Sequence, residues 1–547
     1  MMYDTLYLCE KPSQARALAK QLGASKTGDG VYVGGGNVVL NAYGHLLNLA
    51  MPADYGDSGP WSLNTLPILP QKWKWKVKAE HQQQYNKIAV WLERVKVVVI
   101  ATDPDEEGEV IGRQILNELG FKGDIKRLWV SALDPNSLKQ ALGNLLPLSA
   151  TETAYHAGCV RRQLDWLYGI NLSRALSVSS GQRTSVGRVT TKLLAELAKR
   201  ELEIQRFTPI PYYTATAKFG DAVLEWQPAE GHDDVPLLPA DGEITGICIA
   251  ASEYQETLDP PLPLTLSALL ANAAERGIDL TSGYRAAQRL YETGAISYPR
   301  TGSTSMPGAG KQGFAAHHAI INTWHTCPDW LPKDCQVIFN IVHHNCVLQH
   351  MGEATIHVRK LVFDMGGEIF TTTDRWLAPN KPRAAGWLLC EAKRQIALES
   401  NIKTAKFRPG DQVRATLSVE RKQTVPPQRF TEAELLRHMA ETGIGTEATR
   451  VDAINSLVKN QVAERVQAKS GCSLELGPTE KGMNLIERLP SSVTGTTMET
   501  QLHNALDYAR SGQVNFDGHL CNAARWLAIT IEGMKSCNLR SSTVGTI

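Results

Sequence analysis

From residue 1 to about 150, short β-branched runs alternate with longer amphipathic stretches, the pattern of a sheet covered by helices. Residues 5–9, 38–42 and 95–101 read as strands, and residues 14–22 and 109–119 as helices that follow two of them. The corners at 10–12 and 103–108 then fall at carboxyl ends of strands, the edge where open α/β sheets gather their chemistry. Residues 151–206 read as mostly helical, after which Phe207, Tyr212 and Tyr213, with Pro209 and Pro211, signal entry to a β-rich region. Pro260, Pro261 and Pro263 stop any regular element there.

Beyond that break the pattern predicts a helix over 266–274, a turn at Gly277, a helix over 284–293 closed by Gly294, and a strand over 295–298. Winged-helix DNA-binding modules have this order, as do many other folds. It returns once more. Thr431 and Glu434 form a capping box ahead of Leu435, Leu436 and Met439, and after Gly443-Ile444-Gly445 a second helix turns Val451, Ile454, Leu457 and Val458 inward.

With 547 residues the chain has room for three or four structural units. Its 57 basic and 56 acidic side chains nearly cancel, so bulk charge carries no nucleic-acid signal and a binding face must come from local segregation. The ten cysteines form no C-x-x-C pair, which argues against a zinc ribbon and favours scattered thiols in a reducing compartment. Asp4, Glu10 and Lys11 interrupt any signal-peptide apolar region, and runs such as 97–101 fall far short of the roughly 20 residues of a membrane helix. A cytoplasmic protein without membrane association is expected.

Asp103-Pro104-Asp105-Glu106-Glu107-Gly108 sets acids at alternate positions after a strand, and an extended backbone would aim Asp103, Asp105 and Glu107 one way. Oxygen donors of that kind hold Mg2+ together with phosphate oxygens, although an isolated acidic hexad is more commonly a solvated turn. Glu10-Lys11-Pro12-Ser13 sets a carboxyl beside an ammonium, with Ser13 suited to cap the next helix. A glutamate near other carboxylates gains proton affinity and can donate to a leaving sugar oxygen; an exposed Glu-Lys pair is the plainer reading. In Gly294-Ala295-Ile296-Ser297-Tyr298-Pro299-Arg300-Thr301 a tyrosine ends the predicted strand beside an arginine. A phenol with a reference pKa of roughly 10 needs help to attack phosphorus. Arg300 can favour the phenolate and bind the charge that develops on phosphate oxygens. A lone strand tyrosine is otherwise a core residue.

Between residues 161 and 188 stand Arg161, Arg162, Arg174, Arg183 and Arg188 against one acid, Asp165. That excess suits a phosphate-tracking groove, with Trp166 available to stack on a base; an ordinary basic helix face is the alternative. Two other patterns carry nothing. Gly308-Ala309-Gly310-Lys311-Gln312 lacks the leading glycine and the Ser/Thr of a P-loop, so ATP is not implied, and His343, His344, Cys346 and His350 fit no zinc spacing.

Glu10 and the D-x-D-x-x-G of the acidic hexad are together similar to the Toprim pattern, which primases, several nucleases and topoisomerases share. The tyrosine motif resembles that of the type IA DNA topoisomerase family. Further matches follow in the family's order: Arg161-Arg162-Gln163-Leu164-Asp165-Trp166-Leu167-Tyr168-Gly169, Asn171-Leu172-Ser173-Arg174, Ser185-Val186-Gly187-Arg188-Val189, His317-His318-Ala319-Ile320, and the stretch from Pro426 to Glu432. Thr190 stands where the family has glutamine, Asn322 replaces a proline, Glu106 replaces an arginine of the acidic loop, and Gly302 replaces an acid. The pattern is closer to the bacterial topoisomerase III branch than to topoisomerase I.

The resemblance implies a multidomain α/β and α+β fold arranged as a toroid. Its parts would be a Toprim metal-binding domain over 1–150, a helical DNA-binding domain over 151–206 and 405–547, a β-rich arch over 207–258 and 355–404, and a winged-helix-like domain carrying the tyrosine over 259–354. It further implies ATP-independent, Mg2+-dependent breakage, passage and rejoining of single strands through a 5′-phosphotyrosine, with Mn2+ as a substitute ion and no zinc. Negatively supercoiled or catenated DNA would be the substrate, relaxed or decatenated by a monomer in the cytoplasm at the nucleoid. A helicase or single-strand-binding protein is a candidate partner. Tyr298, Glu10, Lys11, Arg300 and His317 would be catalytic, and Glu10, Asp103, Asp105 and Glu107 metal ligands. Trp61, Arg161, Arg162, Asp165, Trp166, Arg174, Ser185, Val186, Gly187, Arg188, Val189 and Thr190 would meet single-stranded DNA. Two rivals use the same residues: a Toprim nuclease or primase-like enzyme with water or a nucleotide in place of Tyr298, and a non-catalytic single-strand clamp.

Overall fold

The computed structural model describes residues 2–220, 222–228, 241–306, 318–324, 326–351, 353–377, 407–467, 474–512 and 516–543. They form two compact units, one of Met1–Glu201, Pro263–His343 and Arg429–Ile547, the other of Leu202–Leu262 and His344–Gln428.

The first unit opens with a seven-stranded sheet in the order Ser25–Lys26, Tyr32–Gly34, Asn37–Asn41, Tyr3–Cys9, Val95–Ala101, Asp124–Arg127, Leu146–Pro147. Its centre is parallel, with Cys9 abreast of Asn41 on one side and Ala101 on the other. Leu6, Leu8, Val98 and Ile100 pack with Ile88, Ile111 and Ile115. Strands covered by helices on both faces are apolar at successive positions, which is why these runs stood out in the sequence. The parallel register also brings the residues after Cys9 and after Ala101 to one edge.

Helices Glu152–Ser180, Arg188–Gln205, Thr497–Arg510 and Phe516–Thr543 follow in this unit. Leu164, Leu167, Tyr168 and Leu172 meet Met498, Leu502, Leu527 and Ile531, each set spaced to form one apolar stripe. Two helix pairs also belong to it: Leu266–Ala274 with Leu280–Glu292, and Glu432–Glu441 with Arg450–Lys459. Thr265 caps Ala268 N, Asp279 caps Ser282 N, and Thr431 and Glu434 form the expected box. The second pair adjoins a three-stranded sheet of Phe430–Thr431, Leu474–Pro478 and Ala463–Gln467. Residues 295–298 are not a strand. Ile296 makes a single bridge to Asn322, while Ser297 N donates to Ile321 O and Tyr298 N to Ser131 O at 2.7 Å, so separate segments rather than one ladder hold the tyrosine's backbone.

The second unit is a closed six-stranded barrel in the order Pro211–Phe219, Ala222–Gln227, Glu368–Leu377, Ala354–Met365, Asp241–Leu258, Gln412–Gln423. Ala217, Leu224, Cys248, Phe363, Phe370, Val413, Ala415 and Leu417 fill its interior from alternate positions. Residues 412–423, expected among the helical DNA-binding segments, are thus a barrel strand. Among the described residues no helix is long and apolar enough to cross a membrane.

Candidate active site

Glu10 and Asp103 leave neighbouring parallel strands at the same edge and are 5% and 0% exposed. The helix after the first strand spans Pro12–Gln21, with Lys11 at its N-cap position, so Ser13 lies inside the helix and does not cap it. Gln14 takes that role. Its side-chain oxygen accepts from Glu10 N at 3.1 Å and Lys11 N at 3.0 Å, and its amide donates to Asp103. Lys11 Nζ reaches Asp103 Oδ2 at 2.7 Å and lies 3.5 Å from Glu10. Burial and then Asp103 push the Glu10 carboxyl up to about 8. Lys11 is raised because Asp103 and Glu10 outweigh the pull of burial.

The acidic hexad turns sooner than alternation predicted. Asp105 caps the helix Glu106–Glu118, accepting from Gly108 N at 2.7 Å, with Glu106, Glu107 and Glu109 in the first turn where the helix dipole favours anions. Glu107 therefore sits on helix rather than extended chain, and does not share one direction with Asp103 and Asp105. It meets His45 Nε2 at 2.6 Å instead, which holds its carboxyl down at about 2. Gly108 is required by space: a Cβ there would lie 2.1 Å from Asp103 O.

Beneath the corner lies Arg127, 0% exposed, with Nη1 donating to Ile100 O, Thr102 O and Leu128 O, Nη2 to Asp103 O at 2.7 Å, and Nε to Glu109. Glu109 also receives Arg113 Nε at 2.9 Å and Thr151 Oγ1 at 2.8 Å. A buried charge needs this saturation of partners.

Tyr298 is 1% exposed and its hydroxyl donates to Asp105 Oδ2 at 2.6 Å. Burial, then Asp105 and Asp103, hold the phenol well above its ordinary value, with Arg300 opposing them, so it is neutral at rest. Asp105 is itself raised by burial and Asp103. Tyr291 packs edge-on to the Tyr298 ring at 5.4 Å between centroids. Arg300 lies over Tyr284, and its Nε is buried without a hydrogen-bond partner among the described residues. A donor in that condition suits a phosphate oxygen. His317 lies outside the described residues, as do Gly308 to Gln312.

The proposed DNA residues divide into engaged and open groups. Trp61 is 42% exposed, with the Arg174 and Arg183 guanidinium groups 5.1 and 5.9 Å from its ring centroid. Arg174 also pairs with Asp57. Trp166 is not free to stack on a base: its indole N–H donates to Ala50 O at 2.9 Å, and Tyr55 and Trp73 pack edge-on to it. Arg162 faces His45 and Asn48 and lies over Trp75, Arg161 is held by Glu106, and Arg188 pairs with Asp165 at 2.8 Å. Val186 is core, its N–H taken by Ser173 Oγ, and Val189 lies so near Gly445 that a Cβ there would come within 3.2 Å of it. The Gly187 N–H is engaged as well, donating to Thr191 Oγ1 at 3.2 Å. Ser185 and Thr190 line a cavity of about 580 Å³ together with Arg183, Lys481 and Arg488.

Sequence reasoning missed Gln14, His45, Glu109 and Arg127. Gln14 had a legible signal, since an amide at the third helical position commonly caps. Arg127 had none, because its partners are main-chain carbonyls and the Glu109 carboxylate, none of them signalled by its own neighbours in sequence.

A family model for DNA topoisomerase matches residues 149–314 and 308–520, and one for the Toprim domain matches residues 5–133. DNA topoisomerase 3 of Bacillus subtilis (strain 168) is 28% identical over 94% of this chain and 79% of its own length. The Haemophilus influenzae protein of that name is 27% identical, over 94% and 92%. In fold, the solved full-length topoisomerase I from Thermotoga maritima is similar with a TM-score of 0.77 at 21% identity, covering 96% of this chain and 90% of that one.

Proposed function

Because the chain belongs to the type IA DNA topoisomerase family and includes its Toprim domain, we propose that Tyr298 is the nucleophile with which it breaks and rejoins single DNA strands. The observation that carries this reading is the Tyr298 hydroxyl donating at 2.6 Å to Asp105, in a corner shared with Glu10, Lys11, Asp103 and Arg300. A water- or nucleotide-using Toprim enzyme would have no use for a phenol at that point, and a passive clamp would have no use for the buried acids.

As the phenol oxygen attacks phosphorus, its proton passes along the existing hydrogen bond to Asp105. Arg300, with a spare donor, receives the charge that grows on the non-bridging oxygens. Glu10 keeps its proton near neutral pH and supplies it to the departing 3′ oxygen. Lys11 holds Asp103 in place and adds positive charge. The bond to the 3′ oxygen breaks as the tyrosine–phosphorus bond forms, leaving a 5′-phosphotyrosine and a free 3′-hydroxyl. The reverse steps reseal the strand, and no nucleotide is consumed.

The donor set suits a hard dication in type, since Glu10, Asp103, Asp105 and Glu107 offer only oxygen, and each bonded oxygen keeps a second lone pair. Among the described residues no three potential ligands are already grouped, and Asp103, Asp105 and Glu107 are turned to Lys11, Tyr298 and His45. Mg2+, or Mn2+ in its stead, would be held by Asp103 and Asp105, with Glu10 joining on losing its proton and Glu107 on leaving His45; when bound it would neutralise phosphate charge and orient the leaving oxygen. Relaxation of negatively supercoiled DNA and decatenation are the outcomes this chemistry supports.

The test uses single-stranded oligonucleotide labelled at its 3′ end and denaturing electrophoresis. Wild-type chain should give a labelled adduct that Tyr298→Phe lacks, and 5′-labelled strand should give only a shortened free fragment. An adduct formed by Tyr298→Phe, or a plasmid relaxed at full rate without added Mg2+, defeats the corresponding part of the proposal.

A further inference from the structure

Beside the nucleophile's partner stands an ion cluster that the reaction above does not use. Glu106, the residue after Asp105, extends its carboxylate between two helices. Oε2 receives Arg161 Nη2 at 2.7 Å, while Oε1 receives Arg510 Nε at 2.9 Å and Nη2 at 2.7 Å. Arg161 comes from Glu152–Ser180 and Arg510 from the last turn of Thr497–Arg510, with Asp507 a further 3.8 Å neighbour of Arg510. The side chains of Arg161, Glu106 and Arg510 are 22%, 23% and 49% exposed, so the cluster opens to solvent.

We propose that Arg161 and Arg510 form a binding site for a backbone phosphate of single-stranded DNA next to the cleavage corner, and that Glu106 occupies it as an internal anion until DNA arrives. Three guanidinium donors, two from Arg510 on one oxygen and one from Arg161 on the other, hold the two oxygens of one planar anion as they could hold the two non-bridging oxygens of a phosphodiester. The helix Glu106–Glu118 starts there, and its N-terminal dipole favours whichever anion is present. A carboxylate carries the same single negative charge as the diester, so exchange leaves the charge at the arginines unchanged. The consequence is a brake on binding: two cations that would attract any strand are neutralised until a phosphate reaches the corner and displaces the carboxylate.

The site rests on the single-strand-binding reading above, and the experiment separates their failures. Affinity of the full-length chain for a fluorescein-labelled single-stranded oligonucleotide is measured by anisotropy across a NaCl series for wild type, Glu106→Gln, Arg510→Ala and the double variant. Freeing two arginines should tighten binding by about tenfold for Glu106→Gln and steepen the salt dependence by up to two phosphate contacts, about 0.7 in log–log slope for each. Arg510→Ala should cost little in wild type and much more in the Glu106→Gln background, a non-additive cycle. Additive effects, or a Glu106→Gln variant that binds no tighter at an unchanged slope, overturn the masking. A wild type that binds no single strand sinks the underlying function instead. Should Glu106→Gln prove unstable, Glu106→Asp, which keeps the charge but shortens the reach, must tighten binding in the same direction or the proposal fails.

Discussion

Substituting Gly108 by alanine tests whether the geometry of the acidic corner governs the chemistry. A Cβ at 108 would lie 2.1 Å from Asp103 O and 3.0 and 3.1 Å from Asp103 C and N, whereas real Cβ atoms essentially never come within 3.0 Å of another atom. The obstacle is main chain, fixed from below by Arg127 Nη2, so it cannot swing aside as a side-chain tip would. The corner must therefore move by about 1 Å, a displacement that costs roughly a hundredfold in rate when it misplaces reacting groups. Overpacking also destabilises, by about 1–3 kcal/mol. The assay compares the initial rate of adduct formation with thermal unfolding for Gly108→Ala, Gly112→Ala and Gly143→Ala. At 112 a Cβ would strike the Ile100 side chain at 2.4 Å, a clash with the core and not with the corner, and at 143 it would meet nothing. Gly112→Ala should lose stability while keeping most activity, and Gly143→Ala, at a helix end, should be neutral or gain about 0.4–1 kcal/mol. If Gly108→Ala cleaves at the wild-type rate, or if Gly112→Ala loses equal activity, corner geometry is not what limits the reaction.

Arg127→Met should cost about 3–5 kcal/mol, measured by denaturant unfolding, because it removes one of the two cations paired with buried Glu109 and leaves several buried carbonyls without that donor; a loss under about 1 kcal/mol would mean that this network contributes little to the fold. Trp61→Ala should weaken single-strand affinity about tenfold by removing an exposed stacking surface, while Trp166→Ala should lower the melting temperature; the opposite pairing of effects would make Trp166 the stacking residue and Trp61 the structural one. Glu499 is 7% exposed, its carboxylate finds no hydrogen-bond partner in another residue among those described, and burial raises its proton affinity. The folded state then binds more protons than the unfolded one, so stability falls as pH rises past the ordinary glutamate range toward the raised value. Glu499→Gln should accordingly melt higher than wild type at pH 8 and equally at pH 4; an equal difference at both would refute the linkage.

The parts legible in the sequence were those specified by periodicity or by local chemistry. Strand runs such as 95–101 announced themselves because both faces are covered, and their parallel register carried Glu10 and Asp103 together without any side-chain detail. Thr431 and Glu434 encoded their own cap. What escaped was set by long-range partners. Alternation of Asp103, Asp105 and Glu107 failed because Asp105 starts a helix, and a short acidic run does not reveal where the backbone changes state. Trp166 looked free because nothing nearby in sequence names Ala50, Tyr55 or Trp73 as its neighbours. The barrel strand Gln412–Gln423 hid behind a modest alternation of Val413, Ala415 and Leu417, in which a small residue marks the interior as easily as a large one.

The sealing of the Tyr298 hydroxyl has a kinetic corollary. With Tyr298 in its proposed role, a residue 1% exposed can meet phosphorus only in molecules whose corner has parted, so the scission rate would be scaled by the abundance of that minority. A solute or distant substitution that changes this abundance would then alter turnover with the intrinsic barrier untouched.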